Sequence, residues 1–386
     1  MSAEGAADEE VRLARAYLSR VAEPPALALG ALIDLLGPVE AARRVRRGDV
    51  PVSVQVQTAA RCAEDRAEED LRRVAEAGGR LVVPEDEEWP AWPFTALAVA
   101  GRQRLRCGGE PLALWVRGAA ACAELAERAV AVVGSRAASG YGQHVAAEFG
   151  HGLAAAGLVV VSGAAHGVDG AAHRGALAAG GRTLAVLACG VDVAYPAGHQ
   201  ALLARIPERG LVVSEYPPGT SPARHRFLTR NRLIAALALG TVVVEAGRRS
   251  GAKNTAASTT ALGRVLMAVP GPITSATSVG CGELLRSGEA VAVSSVEEVV
   301  ESVGRIGDDL VEPPPRSARE FGSPDGEAMR VHDALSPALG RSPQAISVES
   351  GVPLDRVRAL LPEFELSGHA ARTETGWVRV GTTGRR

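Results

Sequence analysis

At 386 residues the chain exceeds one ordinary domain, and its 46% hydrophobic and 22% charged residues exclude wholesale disorder and allow a large buried core. A formal net charge of −2 excludes a protein that is basic overall, so affinity for nucleic acid has to come from a local patch. Five scattered cysteines without a CxxC pair argue against structural zinc and a disulfide framework, and the longest nearly apolar run, 233–246, falls short of a membrane span.

The acidic start, MSAEGAADEE, lacks the basic-then-apolar order of an export signal, so a cytoplasmic protein is expected. Over 11–48, Leu13, Tyr17, Leu29, Leu32, Leu35 and Leu36 are spaced as on helices, with breaks at Pro24-Pro25 and Gly37-Pro38. This predicts an N-terminal helical module at 1–75, of the SAM or helix-hairpin-helix kind but without a clear GxG hairpin. Residues 80–118 mix apolar runs with turn residues and the aromatics Trp89, Trp92 and Phe94, which read as packing for the next domain rather than as a stacking platform.

From Ala129 the pattern becomes regular. Val-rich apolar runs at 129–133, 158–161, 183–188, 211–213, 241–244 and 265–269 are separated by segments long enough for helices. The expected fold is α/β, a doubly wound Rossmann-like parallel sheet covered on both faces and spanning 76–303. Residues 304–326, with PPPR, read as a linker. Three short helices and a strand-like 377–380 then suggest a C-terminal winged-helix domain at 327–386. Its eight Arg and seven acids are near balance, so protein contact fits this tail at least as well as DNA.

In such sheets ligands bind outside the carboxyl ends of the strands. The first of these turns, GSRAASGYG (134–142), offers Gly134, Ser135 and Ser139, free amides and a helix start, with Arg136 as a bidentate phosphate donor. Arg136 sits where GxGxxG has its second glycine, so the turn is not a dinucleotide fingerprint. The second, SGAAHGVDGAAH (162–173), has Ser162, Gly163 and His166, with Asp169 placed to cap the following helix. His166, Asp169 and His173 have metal-like spacing, but their Gly and Ala neighbours supply no further ligand, so neither metal nor cofactor is expected.

The stretch 214–232 packs Arg224, Arg226, Arg230 and Arg232 around Phe227, His225 and Asn231, a mixture suited to a sugar-phosphate backbone with a stacked base. EAGRRSGAKNTA (245–256) adds Arg248, Arg249, Ser250, Gly251 and Lys253, the only lysine of the chain. Eight cations are thus expected on one edge of the sheet, with Asp169, Asp192, Glu215 and Glu245 the few acids among them. No GxSxG, GxxxxGK[ST] or HExxH pattern is present. Glu245 is the best general-base candidate, and reads more simply as a residue that orients the loops; the expectation is a binding protein and not an enzyme.

From about Gly134 to Gly288, with the strand just before it, the chain carries, in order, VAVVGSR with SxYG, SGxAxGxDxxAH, AVLxCGxDxxYP, SEYPPGTxP, a Phe followed by RNR, VVEAxxxSG and AVPGP. By these linked motifs the chain closely resembles the DprA/Smf family (DNA processing protein A). The resemblance implies a Rossmann-like homodimer that binds and protects single-stranded DNA taken up in natural transformation and loads the recombinase RecA on it. Carried over by position, it implies that Arg136, Ser162, Gly163, Arg230, Asn231, Arg232 and Ser250 line the strand-binding pocket. Departures are His166 where relatives usually carry Arg or Lys, Leu228 for a proline, and Ala252-Lys253-Asn254 for a more apolar triplet. The alternative is a nucleotide-cleaving enzyme similar to the phosphoribohydrolases, whose PGGxGTxxE loop is replaced here by VVEAGRRSGAKNTA.

Overall fold

The computed structural model describes residues 8–304 and 326–380. The chain divides into two compact units, Met1–Val311 and Glu312–Arg386. The expected linker, 304–326, lies almost wholly outside the described residues.

The first unit opens with five helices, α1 (Glu9–Val21), α2 (Leu27–Leu36), α3 (Pro38–Arg47), α4 (Val52–Thr58) and α5 (Ala67–Glu76). An antiparallel pair follows, β1 (Gly79–Val82) and β2 (Leu114–Arg117), with α6 (Ala91–Arg102) between them and α7 (Cys122–Glu127) after. The regular part runs β3 (Ala129–Val133), α8 (Gly140–Ala155), β4 (Val159–Ser162), α9 (Val168–Ala178), β5 (Thr183–Leu187), α10 (Gln200–Arg205) and β6 (Leu211–Ser214). It continues with α11 (Arg224–Ala236), β7 (Gly240–Val243), α12 (Ala252–Ala261), β8 (Val265–Ala268), α13 (Val279–Arg286), β9 (Val291–Ala292) and α14 (Val296–Val303). Each of the six apolar runs forms a strand within a residue or so of the position its composition predicts.

These strands make one sheet in the order β1-β2-β6-β5-β4-β3-β7-β8-β9, parallel from β6 to β9. The order reverses at β3: later strands are added on one side as far as β6, and then on the other from β7. That reversal opens a crevice above the carboxyl ends of β3 and β7. Alternation along each strand splits the core in two. Ala129, Ala131 and Val133 face the layer containing α6, α11 and α12, while Val130 and Val132 face the layer containing α8, α9 and α14.

The 80–118 segment extends this sheet: β2 pairs antiparallel with β6, so the parallel edge at β6 is covered. Trp89 and Phe94 pack edge to face with centroids 5.2 Å apart, as expected of core aromatics. Trp92 does not: it is 79% exposed. The N-terminal helices share one hydrophobic cluster with the sheet, where Tyr17, Leu18 and Ile33 pack with Trp115, Leu187 and Val212. Residue 75 therefore does not separate two cores.

The second unit contains α15 (Gly326–Asp333), α16 (Pro343–Ser350), α17 (Leu354–Leu366) and the antiparallel hairpin β10 (Ala370–Thr373) and β11 (Gly376–Arg379). Val331, Ile346, Leu361 and Trp377 belong to its own small core. Among the described residues no helix is long and apolar enough to cross a membrane.

Candidate nucleic-acid interface

An open cleft of about 640 Å³ lies at the switch point, lined from the loops after β3, β4 and β7 and from α11 and the start of α12. Its construction begins with close backbone approaches. Gly134 has no room for a Cβ, which would meet the Val168 side chain and the Glu245 carbonyl. Gly167 has φ +77° and lies against the Ser135 carbonyl, so two strand-end loops touch where only glycine fits.

Ser139 is the N-cap of α8, its Oγ accepting the amide of Gly142 at 3.0 Å. Glu245, 1% exposed, accepts the Ser139 hydroxyl (2.6 Å), the Ser139 amide (2.9 Å) and the Thr277 hydroxyl (2.9 Å). It binds three loops together, and both of its oxygens accept hydrogen bonds, which fits the loop-orienting role. Asp169, expected to cap the helix, does not. The helix begins at Val168 with Gly167 as N-cap, and Asp169, inside the first turn, accepts the amide of Ala165 at 3.4 Å. Burial holds its carboxyl above the usual range, against the pull of Arg230.

The arginines divide into two groups. Arg136, Arg224, Arg230 and Arg249 line the cleft. Arg136 stands over the Phe227 ring at 4.6 Å, and Phe227 lies 5.5 Å from the exposed ring of Tyr195. Arg224 and Arg249 are exposed and, among the described residues, have no ion-pair partner. Arg230 is only 4% exposed and forms the floor, donating to the Gly163 carbonyl at 2.8 Å and to the Val186 carbonyl. Gly163 exists to admit it, since a Cβ there would collide with the guanidinium. Burial pushes Arg230 down to about 10, which leaves it charged at neutral pH.

The other four cations are engaged elsewhere. Arg232, 2% exposed, pairs with buried Glu215 at 2.5 Å and donates to the Gly109 carbonyl at 2.7 Å, on the far side of α11 from the cleft. Arg226 is clamped by Glu23, which follows α1. Lys253 pairs with Glu283 at 2.7 Å, and Arg248 approaches the same carboxylate at 3.5 Å. The expectation of eight cations on one shelf is thus corrected to four, because helical periodicity turns Arg230 and Arg232 in different directions, Glu23 between α1 and α2 captures Arg226, and Glu283 draws Lys253 and Arg248.

Ser162 is fully buried and donates to the Val132 carbonyl at 2.6 Å, inside the sheet. Gly134, Ser135, Phe227, Asn231, Ser250 and Gly251 do line the cleft. Asn231 donates to Asn254 Oδ1 at 3.1 Å, joining α11 to α12. His166 is exposed beside the cleft with its ring against His199, 4.7 Å between centroids. His173 is buried, bonded to Thr183 at 2.6 Å, and held down to about 3 by burial with help from His199 and Arg230. That environment does not suit a ligand trio, and no metal-holding group occurs among the described residues.

The acids expected on these loops are all committed: Asp169 as above, Asp192 to Arg73 and the Gly219 amide, Glu215 to Arg232 and Glu245 to its hydroxyls. Sequence reasoning counted Arg249 among the cations without singling it out for the strand, and it did not assign Asn254 or Tyr195 to the site. Arg249 and Asn254 sit beside Arg248 and Lys253, and only the loop backbone decides which neighbour turns inward.

Fold and site together define a Rossmann-type α/β protein with an open, cationic cleft at the switch point of its strand order. A profile of the family described as DNA recombination-mediator protein A matches residues 80–304. The chain is 51% identical over 368 residues to a putative DNA processing protein DprA of Mycobacterium tuberculosis (strain CDC 1551 / Oshkosh), covering 95% of this chain and 94% of that one. It is 36% identical over 261 residues to Protein Smf of Escherichia coli (strain K12), covering 65% of this chain and 67% of that one. The X-ray structure of DNA processing protein A from Streptococcus pneumoniae superposes with a TM-score of 0.62 at 28% identity, over 78% of this chain and 100% of that one. The chain belongs to the DprA/Smf family of DNA recombination-mediator proteins.

Proposed function

We propose that the chain processes DNA by holding single-stranded DNA along the switch-point cleft, as a cytoplasmic homodimer that protects the strand and loads RecA on it. The observation that carries this reading is the set of guanidinium groups of Arg136, Arg224 and Arg249 around a cleft whose one lining carboxylate, Asp169, is buried and accepts the Ala165 amide. Phosphates are neutralised at the rim while Tyr195, packed on Phe227, offers an exposed ring to a base, a combination that tolerates any sequence. Arg230 fixes the floor, and Ser135, Ser250 and the loop amides supply donors for phosphate oxygens.

Fluorescence anisotropy with labelled oligothymidine tests it. Affinity is expected to fall steeply with salt, and Arg136→Ala with Arg249→Ala to lower the slope of log affinity against log salt by about 0.7 for each phosphate no longer neutralised. An unchanged slope in the double variant sinks the cleft as the site. Base release from a panel of nucleotides tests the enzymatic alternative. RecA loading is read by RecA ATP hydrolysis on the bound strand, and the homodimer by light scattering. The order of three helices and a hairpin, with near-balanced charge, supports reading the second unit as a winged helix that contacts protein. Deletion of residues 305–386 is expected to leave strand affinity unchanged.

A further inference from the structure

A side recess opens from the cleft toward the carboxyl end of β5. It shares Arg136, Ala165, Phe227 and Arg230 with the cleft, and adds His166, Cys189 and Tyr195. His166 is exposed, and among the described residues its ring has no hydrogen-bond or ion-pair partner. The loop that carries it is nevertheless fixed from several sides. Ala164 has φ +52°, a conformation rare for a residue with a side chain, and its carbonyl is bonded to Nδ1 of the buried His199 at 3.0 Å. Asp169 accepts the Ala165 amide, and Gly167 lies against the Ser135 carbonyl. The His199 ring, for which Gly170 leaves the space, packs edge to face on His166, and Gly198 backs the imidazole at van der Waals distance. An imidazole with free nitrogens is thus held at the rim of a cationic cleft.

The charged and titratable groups around it come from four directions. The loop after β3 brings Arg136, α11 brings Arg230, and α9 brings Asp169, His173 and Arg174. The segment after β5 brings Cys189, Tyr195 and His199. Guanidinium groups stay charged throughout the range in which imidazoles titrate. Burial holds Cys189 up at about 11 and His173 down at about 3, so neither changes charge there. Among the described residues Asp169 is the only carboxylate lining cleft or recess; it is buried, and its carboxyl is raised by that burial. The protein therefore offers His166 no free carboxylate, and an anion to pair with its protonated ring has to arrive with the ligand.

We infer that His166 is a phosphate contact made only by its protonated ring, so that the cleft takes up a proton as it takes up the strand. The inference rests on the cleft being a single-strand site. A neutral imidazole carries one N–H and no charge, whereas the imidazolium carries two N–H donors and a positive charge. A phosphodiester remains anionic, so proton and strand favour one another reciprocally. The added affinity is present at the acid end of the imidazole range, from pH about 5 to about 8, and is lost as pH rises through it.

Fluorescence anisotropy of the full chain with labelled oligothymidine reads this, because thymine does not titrate in that range. Wild type is expected to bind at least about 5-fold more tightly at pH about 5.5 than at pH about 8, the low end of ordinary coupling between two ligands. Its salt slope should be steeper by about 0.7 at the lower pH, one phosphate contact being gained. His166→Gln should show neither change and keep the weaker affinity at both pH values; His166→Arg should show neither and keep the tighter one. A wild type without the rise overturns the inference. So does a rise that persists in His166→Gln, since Asp169, His199 or His225 would then be the group that titrates. Arg136→Ala binding like wild type at pH about 8 overturns the cleft itself, whereas a pH-independent cleft that Arg136→Ala still weakens overturns the proton linkage alone.

Discussion

Arg230 and Arg232 are two residues apart and have different duties. Both are buried, yet Arg230 forms the cleft floor while Arg232 is paired with Glu215 on the other side of α11. Breaking a buried pair by removing one partner leaves an uncompensated charge, so Arg232→Ala is expected to cost about 3–5 kcal/mol of folding stability. Arg136→Ala, at an exposed position, should fall within about 0.5 kcal/mol of wild type. Urea unfolding of both variants checks this; an Arg232→Ala protein of native stability would show that the pair is dispensable. Gly163→Ala forces a Cβ against the Arg230 guanidinium, and overpacking of that kind costs about 1–3 kcal/mol. The same urea measurement applies, and a neutral result would mean that Arg230 moves freely. Neither duty is legible in the string RNR, which shows only that two guanidinium groups are close in sequence.

Among the elements, α11 is fixed at its start by a side chain from the loop between α1 and α2. Glu23 accepts from Arg226 at 2.7 Å, from Arg61 at 2.9 Å and from His225 at 3.1 Å. Burial pushes its carboxyl up, but the hydrogen bonds from Arg226 and Arg61 outweigh burial and hold it at about 2, below the ordinary 4.5. A carboxyl depressed by folding stabilises the native state above its unfolded pKa, and that contribution is lost as pH falls from about 4.5 toward about 2. Glu23→Gln is therefore expected to lower the melting temperature at pH 7, with the gap to wild type narrowing below pH 4.5. A gap that stays constant through that window would show that Glu23 does not titrate with folding. The strands were legible because a parallel sheet buried on both faces demands continuous Val-rich runs, as at 129–133 and 241–244. The latch was not, since Glu23 and Arg226 are joined only by the fold.

At the scale of the molecule, the first unit is held by layers that cross the expected domain boundary. Trp115 on β2 is buried against the N-terminal helices, so a chain starting at residue 76 would expose it together with Leu187 and Val212. Such a chain is expected to lose cooperative unfolding, whereas one ending at residue 304 keeps the whole of the described first core. Calorimetry of the two truncations decides, and a cooperative transition in the first would restore the boundary at 75.

Composition and periodicity alone determined the six central strands, their burial and the edge at which cationic loops gather, because these depend on local pattern and on the general rule that loops follow strand ends. The linked motifs determined the family. Which arginines face the cleft, which acids neutralise their neighbours and how the helical module joins the sheet were decided only by tertiary structure. Each is a matter of side-chain direction and of partners from 17 residues away (Arg232 with Glu215) to 203 (Arg226 with Glu23), and a one-dimensional pattern carries neither.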